Sequence, residues 1–498
     1  MSDWLVLPIL LPIIGAGLSI ITGRVRWLQR LIGLSVLTVM MVFSVLLLVE
    51  VDRDGTIATQ VGAWPAPIGI TLIADRFAAI MLVLACLMLL TVLVYAIGQP
   101  GAERNHVGFQ SVYLILAGGL CATFLTGDLF TLFVSFEVML TASYVLLTLG
   151  ARRAQVRAGM TYVVISLLSS TLFVTAIALV YTATGTLNLA DLSGKVGDLP
   201  GGVRMAFSVL FLIIFGIKAG LFPLFFWLPD SYPTAPSPVT AVFAGLLTKV
   251  GVYAIIRVET LLFPTSRPTT LLLVLAGLTM LVGVLGSIAQ DDFKRILSFL
   301  IVSSIGFVVM GLGFFTVAGI AAAIFYVVNH IVVKTALFLT GGLVEHVGGS
   351  SLLLGVGNMV RTAPVLAVLF AIPALSLTGV PPFAGFVAKF ALVDSGFGTG
   401  EYIVVGVSLL VSLLTVFSMT KIWSGVFWSP AERVDDMPPA AGHHAGRIGG
   451  PVLMVVPTAA LVAVSVAIMV LAGPLFALSE RAARDLLDPS NYVQAVLG

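Results

Sequence analysis

Long apolar stretches separated by short polar ones run the whole length of this 498-residue chain. Each approaches or exceeds the roughly 20 residues that a helix needs to cross a bilayer core. They fall near 4–22, 29–50, 72–97, 109–126, 128–149, 159–184, 205–228, 237–262, 269–289, 293–315, 318–345, 364–395, 402–428 and 451–477. An all-α polytopic membrane protein of about fourteen transmembrane helices is therefore predicted. The polar stretches between are too short for a soluble domain. The longest, SPAERVDDMPPAAGHHAGRIGG at 429–450, is only a loop.

Two of the apolar stretches are interrupted by glycine and proline. One reads IIFGIKAGLFPLFFWLPDSYPTAPSP (213–238), the other SLTGVPPFAGFVAKF (376–390). Each carries a lysine beside its break: Lys218 before Pro223, and Lys389 after Pro381 and Pro382. Interrupted helices in the two halves of one chain point to an inverted-repeat transporter. Their unwound backbone is tolerable only where protein or water satisfies it. Ordinary proline kinks are the plainer alternative, and the lysine at each break argues against it.

Composition supports the membrane class and narrows the function. The chain is 59% hydrophobic and 10% charged, with a mean hydropathy of +1.13. A soluble chain carries about a quarter charged residues. A net charge of +2 leaves no basic field that would attract nucleic acid. Cys86 and Cys121 lie in apolar runs without CxxC spacing, which excludes a cysteine-held zinc or iron–sulfur site within the chain. There is no HExxH, GxSxG or phosphate-cradling glycine loop. His443 and His444, in GHHAG, lack further ligands for a metal. No cofactor is expected.

Basic residues favour alternate loops. Arg24, Arg26, Arg30, Arg104, Arg152, Arg153, Arg157, Lys294, Arg295, Arg361, Arg433 and Arg447 fall on one side, whereas Arg53, Lys195, Arg204 and Arg267 fall on the other among acidic neighbours. By the positive-inside rule both termini face outward. The start, MSDWLVLPILLPIIGAGLSII, has Asp3 where a signal peptide has basic residues and reads as a retained first span.

The candidate chemistry lies in the few ionisable residues placed deep in spans: Glu137, Lys218, Lys249, His330, Lys334 and Lys389. A charge at a helix centre costs about 2.5–3.5 kcal/mol on insertion scales. Five such charges total roughly 12–17 kcal/mol, comparable to the stability of a whole domain. Proton carriage suits them, because burial disfavours the charged form of an amine and a histidine titrates near neutrality. Glu137 and Lys218 have the chemistry of a coupling pair if the fold brings them together. Tyr326, His330 and Lys334 share one helix face, with Glu345 three turns further on. The competing readings are snorkelling lysines and a purely structural Glu137 salt bridge. Asp75 and Asp128, at helix starts, read as caps.

Several stretches carry a resemblance. They are LFVSFEVMLTASYVLL around Glu137, GIKAGLFPLFFWLPDSYPTAPSPVTAVFAGLLTKVGVYAIIR around Lys218 and Lys249, DDFKRILSFLIVSSIGFV, FYVVNHIVVKTALFLTGG, and LTGVPPFAGFVAKF around Lys389. In this order they resemble, over nearly the full length, the antiporter-like family shared by Mrp-type cation/proton antiporters and the proton-pumping membrane subunits of respiratory complex I. The resemblance implies two inverted five-helix repeats and a hydrated mid-membrane axis. Residues 1–108 would form an N-terminal three-helix segment, 109–262 and 263–428 the repeats, and 429–498 a loop, a last helix and a short polar tail. Glu137 and Lys218 would be the coupling pair, Lys249 the central relay, His330 and Lys334 the bridge between repeats, and Lys389 the terminal site. The tail SERAARDLLDPSNYVQAVLG and a lysine at 389 are similar to the D subunits of Mrp-type antiporters.

The resemblance thus implies a proton-translocating subunit of a multisubunit sodium/proton antiporter, not an enzyme. Its partners would be other hydrophobic subunits, the lipid bilayer, H+ and Na+, in the cell membrane of a prokaryote. The alternative is a pumping subunit of a redox-driven complex of the complex I or membrane-bound hydrogenase type.

Overall fold

A computed structural model describes residues 2–23, 25–101, 103, 108–150, 152–430 and 451–498. Arg24, Arg104, Arg433, Arg447, His443 and His444 lie outside the described residues. The chain runs through α1 (Leu7–Ile21), α2 (Arg26–Asp54), β1 (Ile57–Gln60), β2 (Thr71–Ala74), α3 (Arg76–Gly98), α4 (Phe109–Leu125), α5 (Leu129–Thr148), α6 (Arg153–Thr184) and α7 (Leu189–Lys195). It continues with α8 (Gly201–Ala219), α9 (Trp227–Ser231), α10 (Ser237–Val242), α11 (Thr248–Leu261), α12 (Thr269–Ile288), α13 (Phe293–Phe314) and α14 (Val317–Gly348). The last are α15 (Met359–Thr362), α16 (Pro364–Thr378), α17 (Ala384–Thr399), α18 (Tyr402–Trp423), α19 (Val452–Val470), α20 (Ala472–Leu487) and α21 (Ser490–Leu497).

Among the described residues twelve helical segments are long and apolar enough to span a membrane, and α4 and α16 are shorter apolar helices. The predicted fourteen segments are thereby accounted for, and the chain is a multi-pass membrane protein. Three boundaries differ from the sequence expectation. The stretch beginning at 72 opens as strand β2, paired antiparallel with β1, and helix starts only at Arg76. The stretch 364–395 is two helices separated by residues 379–383. Past Val470 the chain turns into α20 and α21.

This tail is folded rather than a loose polar end. The Arg481 guanidinium donates to both oxygens of Asp52, at 2.9 and 2.8 Å. Arg76 donates to Asp52 at 2.9 Å and to both Asp485 oxygens at 3.0 and 2.7 Å. On α20 the buried positions Ser479, Ala482, Ala483 and Leu486 recur at helical spacing, so one face packs inward while the other stays polar.

Local chemistry sets the helix ends. The carboxylates of Asp75, Asp128 and Asp292 accept from the backbone N–H groups of Ala78, Thr131 and Arg295, satisfying donors that the first turn leaves free. Capping by Asp75 and Asp128 is thus borne out. Helix α14 has 32 residues, about 48 Å at 1.5 Å per residue. It exceeds the roughly 30 Å hydrocarbon core. With α10, α11 and α13 it forms the interior of the bundle, whereas α1, α2, α6 and α18 expose apolar flanks.

A twofold pattern organises the middle of the chain. Gly127 and Leu129 exchange backbone hydrogen bonds with Leu187 and Leu189, and Asp291 and Phe293 do so with Ser351 and Leu353. The first bridge joins Asp128 to Asn188, the second Asp292 to Leu352, each 164 residues after its counterpart. An odd number of membrane crossings (α5, α6, the broken α8–α9, α10–α11 and α12) separates the two caps, which places them on opposite faces. The two broken helices match as well. α8 ends at Gly220 (φ 79°) and α16 at Gly379 (φ 83°), both left-handed, and each following N–H folds back onto the last turn. That geometry favours glycine, which has no Cβ to clash.

Candidate functional site

The breaks create the polar sites. Ending α8 at Ala219 leaves its last carbonyls without helical partners. The Trp227 indole N–H reaches back to one of them, the Ile217 carbonyl, at 3.1 Å. Lys218, in the last turn of α8, is 7% exposed. Its ammonium donates to the Ser166 carbonyl at 3.2 Å and the Ser170 hydroxyl at 3.1 Å, both on α6. Ser170 in turn donates a very short hydrogen bond to Glu137 on α5. Glu137 and Lys218 are therefore brought together through a shared serine, not as a direct ion pair.

Lys249 lies where the helix between α10 and α11 widens. Residues Phe243–Leu247 form a π-helical turn, a local irregularity that often marks functional positions. The widened turn presents the Ala244 carbonyl to the Lys249 ammonium at 2.6 Å, with the Thr248 hydroxyl at 3.2 Å. Gly251 lets α11 lie directly on the end of α8. A Cβ there would stand 2.6 Å from the Ala219 nitrogen and 3.0 Å from the Lys218 carbonyl carbon. The two lysines are thus held on touching backbones.

From Lys249 the row continues into α14. A small cavity is lined by Lys249, Ser304 and His330. His330 is 3% exposed, and its Nε2 has no protein partner. Its ring stacks on Tyr326 at 5.8 Å. One turn on, the fully buried Lys334 donates to the Leu297 carbonyl of α13 at 3.2 Å. Across α14, the Asn329 carboxamide accepts from Ser376 of α16 at 3.1 Å. Lys389, on α17, donates at 3.0 Å to the carbonyl of Thr378, the residue at which α16 stops, and lies 5.1 Å over the Phe307 ring. Here too the second break supplies the acceptor that its lysine uses.

A row of contacts thus runs from Glu137 through Ser170 and Lys218 to Lys249 and His330, with Lys334 one turn further along α14 and Lys389 at the second break. Among the described residues none of the six candidate residues takes part in an ion pair within hydrogen-bond reach. Four buried ammonium groups are instead met by carbonyls and hydroxyls, and only Lys218 has a carboxylate close by, Glu137 across Ser170. Such a row is suited to holding few protons at a time and passing them on. The face expected to run from Tyr326 to Glu345 divides: Glu345 pairs with Lys294 and not with Lys334.

Sequence reasoning missed several participants. Ser170 is an ordinary membrane-helix serine until the fold sets it between Glu137 and Lys218. The 164-residue offset was available as a signal, since it sets Ser166 and Ser170 against His330 and Lys334. Arg257 and Glu259, in the last turns of α11, are also buried. Arg257 donates to both Asp75 oxygens at 2.5 and 2.7 Å and to the Tyr253 hydroxyl at 3.2 Å. Asp75 is therefore both cap and counter-ion. Glu259 accepts from Ser208 at 2.9 and 3.0 Å. The spacing of Lys249, Tyr253 and Arg257 already sets them on one face of α11.

Comparison with known proteins identifies the family. Residues 126–415 match the family described as NADH:quinone oxidoreductase/Mrp antiporter, transmembrane. The D subunit of the Na(+)/H(+) antiporter of Alkalihalophilus pseudofirmus is 44% identical over 500 residues, covering all of both chains. A chain of the Mrp complex from Dietzia superposes with a TM-score of 0.93 at 32% identity, covering 100% of this chain and 99% of that one. A chain of the membrane-bound sulfane sulfur reductase, an archaeal respiratory complex, gives 0.89 at 26% identity, covering 100% of each. The curated relatives are named as antiporter subunits, which are transporter components, and the solved ones belong to multisubunit membrane complexes. Full-length likeness and the match across both broken helices lead to one conclusion: this chain belongs to the NADH:quinone oxidoreductase/Mrp antiporter family of membrane proteins.

Proposed function

We propose that the chain is the proton-translocating subunit of a multisubunit sodium/proton antiporter, the counterpart of the D subunit of Mrp-type complexes. Glu137 and Lys218 form the coupling pair, Lys249 the central relay, His330 and Lys334 the bridge, and Lys389 the terminal proton site. The observation that carries this reading is the hydrogen-bonded group Glu137–Ser170–Lys218, in which one hydroxyl accepts from the ammonium and donates to the carboxylate. A proton leaving Lys218 has a ready acceptor through Ser170, and changing the Glu137–Lys218 separation changes which of the two holds it.

Residues 109–262 and 263–428 act as inverted repeats around this axis, with 1–108 and 429–498 flanking them. The 164-residue correspondence and the paired breaks support that division. The chain resides in the cell membrane of a prokaryote, with other hydrophobic subunits beside it and both termini outside. Loop charge supports that orientation, and the full-length bacterial relatives support the location. The second reading, a pumping subunit of a redox-driven complex, draws on the likeness to the sulfane sulfur reductase chain. Proton flux in vesicles carrying the whole complex separates the two. Flux that answers to sodium alone supports the antiporter, and flux that needs an electron donor supports the redox complex.

A further inference from the structure

A large cavity lies away from the row of six. It measures about 540 Å³ and opens where α3 and α5 end, where α6 begins, and where α13 begins beside the last turns of α14. That is the face bearing the arginine-rich loops. Its wall includes the ion pair of Lys294 and Glu345, whose side chains are 6% and 40% exposed. The Ser237 hydroxyl donates to Glu345 at 3.3 Å. Arg152 and His346 are the other charged or titratable groups lining it, and the buried Tyr95 hydroxyl lies beneath Gly342 of its wall.

Two elements tie this cavity to the relay. On α14, Glu345 lies three turns from Lys334 on the same face, about 16 Å along the axis. On α13, Lys294 lies one turn before Leu297, whose carbonyl holds the Lys334 ammonium. The exposed carboxylate therefore faces water, while its buried lysine partner sits on the helix whose next turn holds Lys334. Lys294 and Arg152 outnumber the one carboxylate on this wall and disfavour a metal cation there. A proton differs, because it bonds covalently to a carboxylate oxygen and cancels its charge.

We infer that the vestibule is the proton inlet of the chain on its arginine-rich face, with Glu345 as the collecting carboxylate and Lys294 as its inward partner. A proton from bulk water neutralises Glu345 and releases Lys294 from the pair. Departure of that proton toward Lys334 restores the carboxylate and the pair. The inference rests on the proton-carrying reading above and extends it to one face of the membrane.

The test uses the complete complex in sodium-loaded inverted vesicles diluted into a sodium-free bath, so that the arginine-rich face meets the bath and takes up protons from it. Glu345→Gln, and the double variant Lys294→Met with Glu345→Gln, should slow exchange about tenfold at high pH, where proton arrival is limiting. Both should approach the parent rate at low pH. The double variant leaves no unpaired charge, so an identical pH profile to the parent, or an equal loss at every pH, overturns the inference. A second measurement needs no flux. Glu345→Cys should react with a membrane-impermeant anionic thiol reagent added to the bath, while buried Cys86 and Cys121 do not. Labelling only from the opposite face overturns the inlet assignment. Absence of sodium-dependent flux in the parent complex counts against the antiporter reading instead.

Discussion

Replacing Ser170 by alanine removes a side chain that hydrogen-bonds to both members of the Glu137–Lys218 group. The ammonium-to-hydroxyl bond of 3.1 Å and the short hydroxyl-to-carboxylate bond both disappear, while Lys218 keeps the Ser166 carbonyl at 3.2 Å. Hydrogen bonds to charged groups contribute about 1.5–3 kcal/mol each, so two amount to about 3 kcal/mol or more. At 1.4 kcal/mol per factor of ten, transfer through the pair should slow by about 100-fold. Direct transfer is no substitute, because the gap left behind exceeds the roughly 3.2 Å at which a proton passes between heavy atoms. Ser170→Thr keeps the hydroxyl and should retain most of the exchange. The assay is sodium-dependent collapse of a pH gradient in inverted vesicles, normalised to the amount of assembled complex. Parent-level exchange by Ser170→Ala would refute the hydroxyl-bridged pair.

Other expectations concern the rest of the row and its support. Glu137→Ala, Lys218→Ala and Lys389→Ala should each abolish exchange while the complex still purifies with all its subunits; the same vesicle assay and a subunit stoichiometry check them. Gly251→Ala pushes a methyl against the Ala219 and Lys218 backbone, and should destabilise by about 1–3 kcal/mol. It should lower the thermal midpoint of the purified complex and slow exchange, whereas Gly202→Ala, with open space around it, should do neither. Asp75→Ala strands the buried Arg257 and should cost about 3–5 kcal/mol, seen as poor recovery of assembled complex. Replacing Asp75 and Arg257 together by leucine should recover part of that loss.

Much of this was legible in the chain because a bilayer makes sequence unusually informative. Apolar length alone gives the spans, since every crossing must hide its backbone polar groups within itself. The expense of a buried charge makes Glu137, Lys218, Lys249, His330, Lys334 and Lys389 conspicuous. Serine carries no such penalty, so Ser170 was marked only by the 164-residue offset, and its place between Glu137 and Lys218 comes from α6 passing between α5 and α8. Pairing across long separations was equally hidden. Asp75 with Arg257 is joined by the packing of helices far apart in the chain, and Lys294 with Glu345 by the opposite ends of the consecutive helices α13 and α14. The tail 472–497 read as polar because half of each turn is polar. Its apolar half became meaningful once α20 was found packed inward, with Arg481 and Asp485 tied to Asp52 and Arg76.

The central claim is that this chain carries the protons of a sodium/proton exchange. It is tested most directly by sodium-dependent proton flux in inverted vesicles of an antiporter-deficient bacterium expressing the intact complex, with parent and Lys218→Ala side by side. The account predicts flux in the parent and none in the variant at equal assembly. Undiminished flux in Lys218→Ala, or a parent that ignores sodium and moves protons only when an electron donor is supplied, would contradict it.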